Sequence, residues 1–176
     1  MLSDEALYER LLGGDLGAFD ALYERYARRL FGFIRKHLPD AQEAEDVLHE
    51  AFMAVLREGK AGRAPGSLRA WLFQVARNLC HNRLRSERRT ARAIQTVKHT
   101  SVADGDHPER ALQDLQATEA LRQAVERLPT ALAELYELRA GGMSYEELAR
   151  VLDVPLGTVK SRMHQMVSRL REEIER

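Results

Sequence analysis

The chain has 176 residues, with 27 Lys and Arg against 27 Asp and Glu for a formal net charge of zero, and 44% of its residues are hydrophobic; that length holds one domain or two small ones, each with a modest core. The single cysteine, Cys80, excludes an internal disulfide and a cysteine-rich zinc site, so a reducing cytoplasm is the expected home. No stretch approaches the roughly 20 apolar residues of a membrane span, and MLSDEALYER has neither the basic start nor the apolar core of an export signal.

Helical periodicity dominates, alternating β-branched segments are absent, and glycine and proline fall at a few punctuation points. An all-α protein is expected, with helices near 4–12, 15–37, 40–57, 67–91, 108–127, 130–140, 144–152 and 157–175. Charge is segregated along it: residues 1–58 hold 12 acids and 7 bases, whereas 69–92 hold seven arginines and the single acid Glu87.

The third helix, AQEAEDVLHEAFMAVL, puts Ala44, Val47, Leu48, Ala51 and Val55 on a core face. Glu43, Asp46 and Glu50 step by three and four along another side. That anionic stripe is either a solvated face or a dock for a basic protein. His49-Glu50 begins like a zinc-binding His-Glu-x-x-His, but position 53 is Met, so the second ligand is missing and no metal or cofactor is expected. The loop EGKAGRAPG over 58–66 carries Lys60 and Arg63 without phosphate-loop spacing. It is either a connector or a basic loop that encloses an extruded base.

Ser67 can cap the fourth helix, LRAWLFQVARNLCHNRLRSERR, in which Leu68, Leu72, Val75 and Leu79 form a narrow apolar stripe expected to enter a core. Arg77, Asn78, His81, Asn82, Arg85, Arg88 and Arg89 share an arc away from it, with Trp71 on the border. Cations and amides on one surface suit phosphates and base edges, and an indole can stack on an unpaired base, although a tryptophan beside an apolar stripe is by default a core residue. After about residue 93 the pattern weakens into a run centred on Asp-Gly-Asp, read as a flexible linker between two small helical domains. The domains are expected at 1–92 and 119–176, with the linker over 93–118.

In the last segment Ser144 and Glu147 have capping-box spacing, Leu148, Val151 and Leu152 give an apolar stripe, and Asp153-Val154-Pro155 supplies a tight turn. Gly157-Thr158 then opens a helix whose buried side is expected at Val159, Met163, Met166 or Val167, and Leu170. Thr158, Lys160, Ser161, Arg162, Gln165 and Arg169 are left outward, and no acid occurs from Lys160 to Arg171. This is the pattern of a helix-turn-helix with a cationic second helix, a reader of duplex DNA.

Three segments, AEDVLHEAF, WLFQVARNLCHNRLR and LPTALAELYELRAGGMSYEELARVLDVPLGTVKSR, together resemble the extracytoplasmic-function (group IV) sigma factors of bacterial RNA polymerase, in order and over nearly the whole chain. The resemblance implies a non-enzymatic initiation factor whose first domain binds core polymerase and the promoter −10 element and whose second reads the −35 element. It gives the stripe Glu43, Asp46 and Glu50 a partner, the coiled coil of the β′ subunit. It puts −10 contacts on Trp71, Arg77, Asn78, Arg83, Arg85 and Arg88 with the loop residues Lys60 and Arg63, and −35 contacts on Thr158, Lys160, Ser161, Arg162, Gln165 and Arg169. It further implies docking of the second domain on the β-subunit flap and control by an anti-sigma factor. Asp153 departs from the family, which often has glycine there, so a strained turn is expected. The rival reading is a dimeric LuxR-type helix-turn-helix regulator acting without polymerase, against which the front half shows no ligand-binding or phosphoacceptor domain.

Overall fold

A computed structural model describes residues 2–60, 66–93 and 112–175. Every regular element among them is helical: α1 (Asp4–Leu12), α2 (Leu16–His37), α3 (Ala41–Lys60), α4 (Leu68–Ala93), α5 (Leu112–Glu126), α6 (Thr130–Ala140), α7 (Tyr145–Leu152) and α8 (Leu156–Ile174). Helices α1–α4 form one compact unit and α5–α8 a second. The expected linker over 93–118 lies largely outside the described residues.

Local chemistry sets the helix ends. Ser3 caps α1 by accepting from the Ala6 N–H at 3.2 Å, and Asp15 caps α2 by accepting from the Gly17 N–H at 2.9 Å. Asp40 and Ser67 do the same for α3 and α4, accepting from the Glu43 and Ala70 N–H groups at 2.9 and 3.2 Å. At the C-termini of α1, α6 and α7 the chain reverses through a left-handed residue, Gly14, Gly142 and Asp153 respectively. In each case the next residue's N–H reaches back five positions, Asp15 to Arg10, Met143 to Leu138 and Val154 to Ala149, the Schellman arrangement that satisfies the last helical carbonyls.

In the first unit α2 and α4 run side by side in the same direction: Phe33 meets Phe73 at 5.4 Å between centroids and His37 meets His81 at 6.2 Å. α3 runs against both, Phe52 resting on Tyr23 at 4.7 Å and on Phe19 at 6.0 Å. The fully buried side chains include Leu22, Leu30, Ile34, Leu38, Val47, Val55 and Leu72, each contributing about 1.5 to 3 kcal/mol through burial. α1 is fastened to α2 by Asp4, which accepts from Arg25 and from the Tyr26 hydroxyl. Burial, then that carboxylate, pushes the Tyr26 hydroxyl's pKa up.

The core face of α4 differs from the leucine stripe expected from its sequence. Val75 and Leu79 are only half-buried, and the interior row is Leu68, Leu72, Phe73, Ala76 and Cys80, with Ala70. Close packing of α4 against two helices requires small residues at the crossing, so alanine and cysteine outrank the larger aliphatics there. The whole polar arc turns with them.

In the second unit Leu135, Leu138, Met143, Leu148 and Val151 are fully buried, joined by Leu128, Leu132, Val159, Met166 and Leu170. Arg139 donates to the Met143 carbonyl at 2.8 Å and lies 5.7 Å from the centre of the Tyr145 ring, which fixes the turn from α6 into α7. Met163 is half-buried and Val167 exposed, so Met166 supplies the buried methionine of α8.

Candidate nucleic-acid interfaces

The helix-turn-helix is α7, the Asp153–Pro155 turn and α8. Ser144 Oγ accepts from the Glu147 N–H at 3.2 Å while Glu147 Oε2 accepts from the Ser144 N–H at 2.9 Å, so both halves of the capping box form. Asp153 holds φ 53° and ψ 50°, and it is the sole non-glycine with positive φ among the described residues. α8 begins one residue earlier than its sequence suggests. The Pro155 carbonyl accepts from the Thr158 and Val159 N–H groups at 2.9 and 3.2 Å, and a proline already held at φ −58° needs no separate opening residue. Thr158 therefore sits inside the first turn and is half-buried.

Lys160, Ser161, Gln165 and Arg169 are exposed on α8, and Arg162 is half-buried on its flank. These six do not share one face, because residues two apart on a helix point in nearly opposite directions. Lys160 leans toward the start of α7, where its charge adds to backbone and Ser144 hydrogen bonds that hold the Glu146 carboxyl below its usual pKa. Gln165 and Arg169 edge the groove between α8 and α5, alongside Arg127, which pairs with Glu173 at 2.9 Å. Between these flanks stands exposed His164, absent from the expected set. One helical turn beyond Lys160, it offers a ring nitrogen on the exposed arc, where the buried side already expected at Val159, Met166 and Leu170 would have placed it.

On α4, Asn78, Arg85 and Arg88 are exposed and Arg77 half-buried along the arc opposite the core, with half-buried Trp71 at its border. Arg83 is elsewhere. It continues the interior row Ala76–Cys80 by one turn, faces α3 and pairs with Glu50 at 2.6 Å. The resemblance had assigned these two residues to different partners. Arg63 lies outside the described residues and so does the side chain of Lys60 at the end of α3.

The three acids of α3 also divide. Asp46 is exposed, whereas Glu43 and Glu50 are half-buried at the seam with α4. Burial, followed by the nearby carboxylates of Glu87 and Asp40, raises the Glu43 pKa. Met53, three residues beyond Glu50 and seven beyond Asp46, is 52% exposed on the same face. A large apolar side chain left in water inside an acidic ridge is a mark of a protein-binding surface. Its spacing from Asp46 made it findable, but it could not be told from a core methionine by sequence. Among the described residues no helix is long and apolar enough to cross a membrane.

Known proteins resemble the chain along its length. Residues 22–90 match the model of sigma-70 region 2 and residues 118–170 that of sigma-70 region 4. The RNA polymerase sigma-H factor of Pseudomonas aeruginosa is 35% identical, covering 98% of this chain and 92% of the relative. The ECF RNA polymerase sigma-E factor of Haemophilus influenzae is 30% identical, covering 99% and 94%. Among solved structures, the sigma factor RpoE in complex with the anti-sigma factor NepR, from Bartonella quintana, superposes with a TM-score of 0.70 at 26% identity, covering 89% of this chain and 96% of that one. CnrH, solved with the cytosolic domain of CnrY, gives 0.66 at 21% identity, covering 98% and 97%, and supports the fold. With both sigma regions in order on one all-helical chain, the protein belongs to the extracytoplasmic-function group of the sigma-70 family, the RNA polymerase sigma factors that direct core enzyme to promoters.

Proposed function

We propose that the acidic face of α3, through Asp46, Glu43, Glu50 and exposed Met53, docks on a basic surface of core polymerase, the β′ coiled coil, while the exposed arc of α4 engages the −10 strand and α8 reads the −35 element. The second unit docks on the β flap, the role requires no bond chemistry, and the protein acts in the cytoplasm. The observation that carries this reading is the charge segregation on α3 and α4: neighbouring helices present opposite signs, which suits simultaneous contact with a basic protein and a nucleic acid. Because Glu50 pairs with Arg83, Asp46 is left as the exposed acid of the dock and Arg83 acts in positioning α3 on α4. An anti-sigma factor of the kind bound by the Bartonella quintana relative is a further partner, covering the same surfaces.

Run-off transcription with purified core polymerase on a promoter library tests the whole reading, with discrete start sites expected. Asp46→Arg should lower affinity for core polymerase at least tenfold by placing a like charge against the basic partner, with the helical melting curve unchanged. Wild-type affinity in that variant would refute the dock.

A further inference from the structure

A second cationic surface lies on α2. Residues 1–58 are acidic as a whole, yet five of their seven bases, Arg25, Arg28, Arg29, Arg35 and Lys36, fall in the C-terminal part of that helix, and no acid occurs between Glu24 and Asp40. Spacings of four and seven residues set Arg25, Arg29 and Lys36 in one row, with Arg28 and Arg35 in the adjacent row, a cationic face about 120° wide. Arg25 pairs with Asp4 and Arg35 donates to the Pro39 carbonyl; the side chains of Arg28, Arg29 and Lys36 are exposed to solvent. A solvated face ordinarily mixes both signs, and this one does not.

The packing places the stripe beside the α4 arc. α2 meets α4 along Phe33 and His37, and α3 through Phe19 and Tyr23. Arg29 and Lys36 sit on the other side of the Phe33–His37 row from α3, by the 100° step of a helix. On α4 likewise, Arg83 faces α3 and Arg85 lies across the Phe73–His81 row from it. Both cationic surfaces therefore border the α2–α4 crease on the side away from α3. α1 begins at the level of Arg25, with Asp4, so the following turns of α2 on that side extend past its end.

We infer that Arg28, Arg29 and Lys36 of α2 hold the phosphate backbone of duplex DNA flanking the strand that α4 engages. From Arg28 to Lys36 the helix spans about 12 Å, and duplex DNA presents a phosphate about every 3.4 Å of axis on each strand, so the stripe matches roughly three phosphates of one strand. The inference rests on the α4 arc being a DNA surface. It adds a sequence-independent clamp to a sequence-reading one.

The test uses full-length protein assembled with core polymerase and a fluorescein-labelled promoter duplex, titrated over salt concentration. Arg28→Ala/Arg29→Ala should reduce the slope of log K against log salt by about 0.9 for each phosphate released, roughly 2 in all, and weaken binding roughly 50-fold at 0.1 M salt when 1 M is the common reference. The loss should be the same on every promoter sequence. Arg28→Lys/Arg29→Lys should keep the wild-type slope. Arg28→Gln/Arg29→Gln repeats the neutralisation with long side chains should the alanine pair melt early. An unchanged slope in the neutralised variants overturns the inference, as does a loss confined to core-polymerase affinity, which would make the stripe a protein dock. A wild-type chain that fails to bind core polymerase counts against the initiation reading, and the same titration with the chain alone on the same duplex then decides the stripe separately.

Discussion

Asp153 joins local strain to function. It supplies the left-handed residue that turns α7 into α8, a conformation that costs an L-residue with a Cβ about 1 to 2 kcal/mol, less for aspartate, whose short polar side chain tolerates it. Asp153→Gly removes the steric cost but adds backbone entropy to the unfolded chain, so urea melting should show a change within about 1 kcal/mol of wild type. Asp153→Val puts a branched side chain at positive φ and should destabilise the second unit by about 1 to 2 kcal/mol or more; a neutral valine variant would mean the turn relaxes to another geometry. The glycine expectation of the family was readable in the sequence as a departure, and the observed φ of 53° is its physical content. Arg83 was not readable in this way. Only the family resemblance had made it a DNA contact, whereas its place one turn beyond Leu79 and Cys80, on the side facing α3, pairs it with Glu50.

At the scale of the element, the acidic face of α3 is held at some cost to stability. Burial and the carboxylates of Glu87 and Asp40 raise the Glu43 pKa. A carboxyl whose folded pKa lies above its unfolded one binds its proton more tightly when folded, so the ionised form opposes folding at neutral pH. That opposition is relieved as pH falls through the raised folded value and is gone below the ordinary value of 4.5. Glu43→Gln should therefore raise stability at pH 7, by less than about 1 kcal/mol because the site is only partly screened from water, and the advantage over wild type should vanish near pH 3. A Tm difference that persists at pH 3 would assign the effect to packing instead. The same variant should bind core polymerase less tightly, since the proposed dock uses the charge. The expected helices of the sequence were near the observed ones, because caps at Ser3, Asp15, Asp40, Ser67 and Ser144 and reversals at Gly14, Gly142 and Asp153 are written in local residue types.

Across the whole molecule, each unit has its own apolar interior, and the chain's one tryptophan, Trp71, belongs to the first. This makes the units separately observable. Leu135, fully buried in the second unit, should cost about 2 to 5 kcal/mol when cut to alanine. Leu135→Ala is expected to shift part of the unfolding followed by far-ultraviolet circular dichroism while leaving the Trp71 fluorescence transition in place. Movement of both transitions together would mean that the two interiors unfold as one cooperative system.

The sequence by itself determined the all-helical class, the places where helices begin and end, the charge segregation along the chain and the pairing of a capping box with a tight turn ahead of a cationic helix. All of these depend on interactions within a few residues or on a period of 3.6, which a linear reading can follow. The core faces of α3, α7 and α8 were legible too, but tertiary packing alone decided how α4 is turned about its axis. Small residues at its crossings drew Ala76 and Cys80 inward in place of Val75 and Leu79, and set its polar arc next to the α2 stripe. The reason is that rotation of a helix is fixed by how closely its neighbours approach, a contact between residues far apart in sequence that no local pattern encodes.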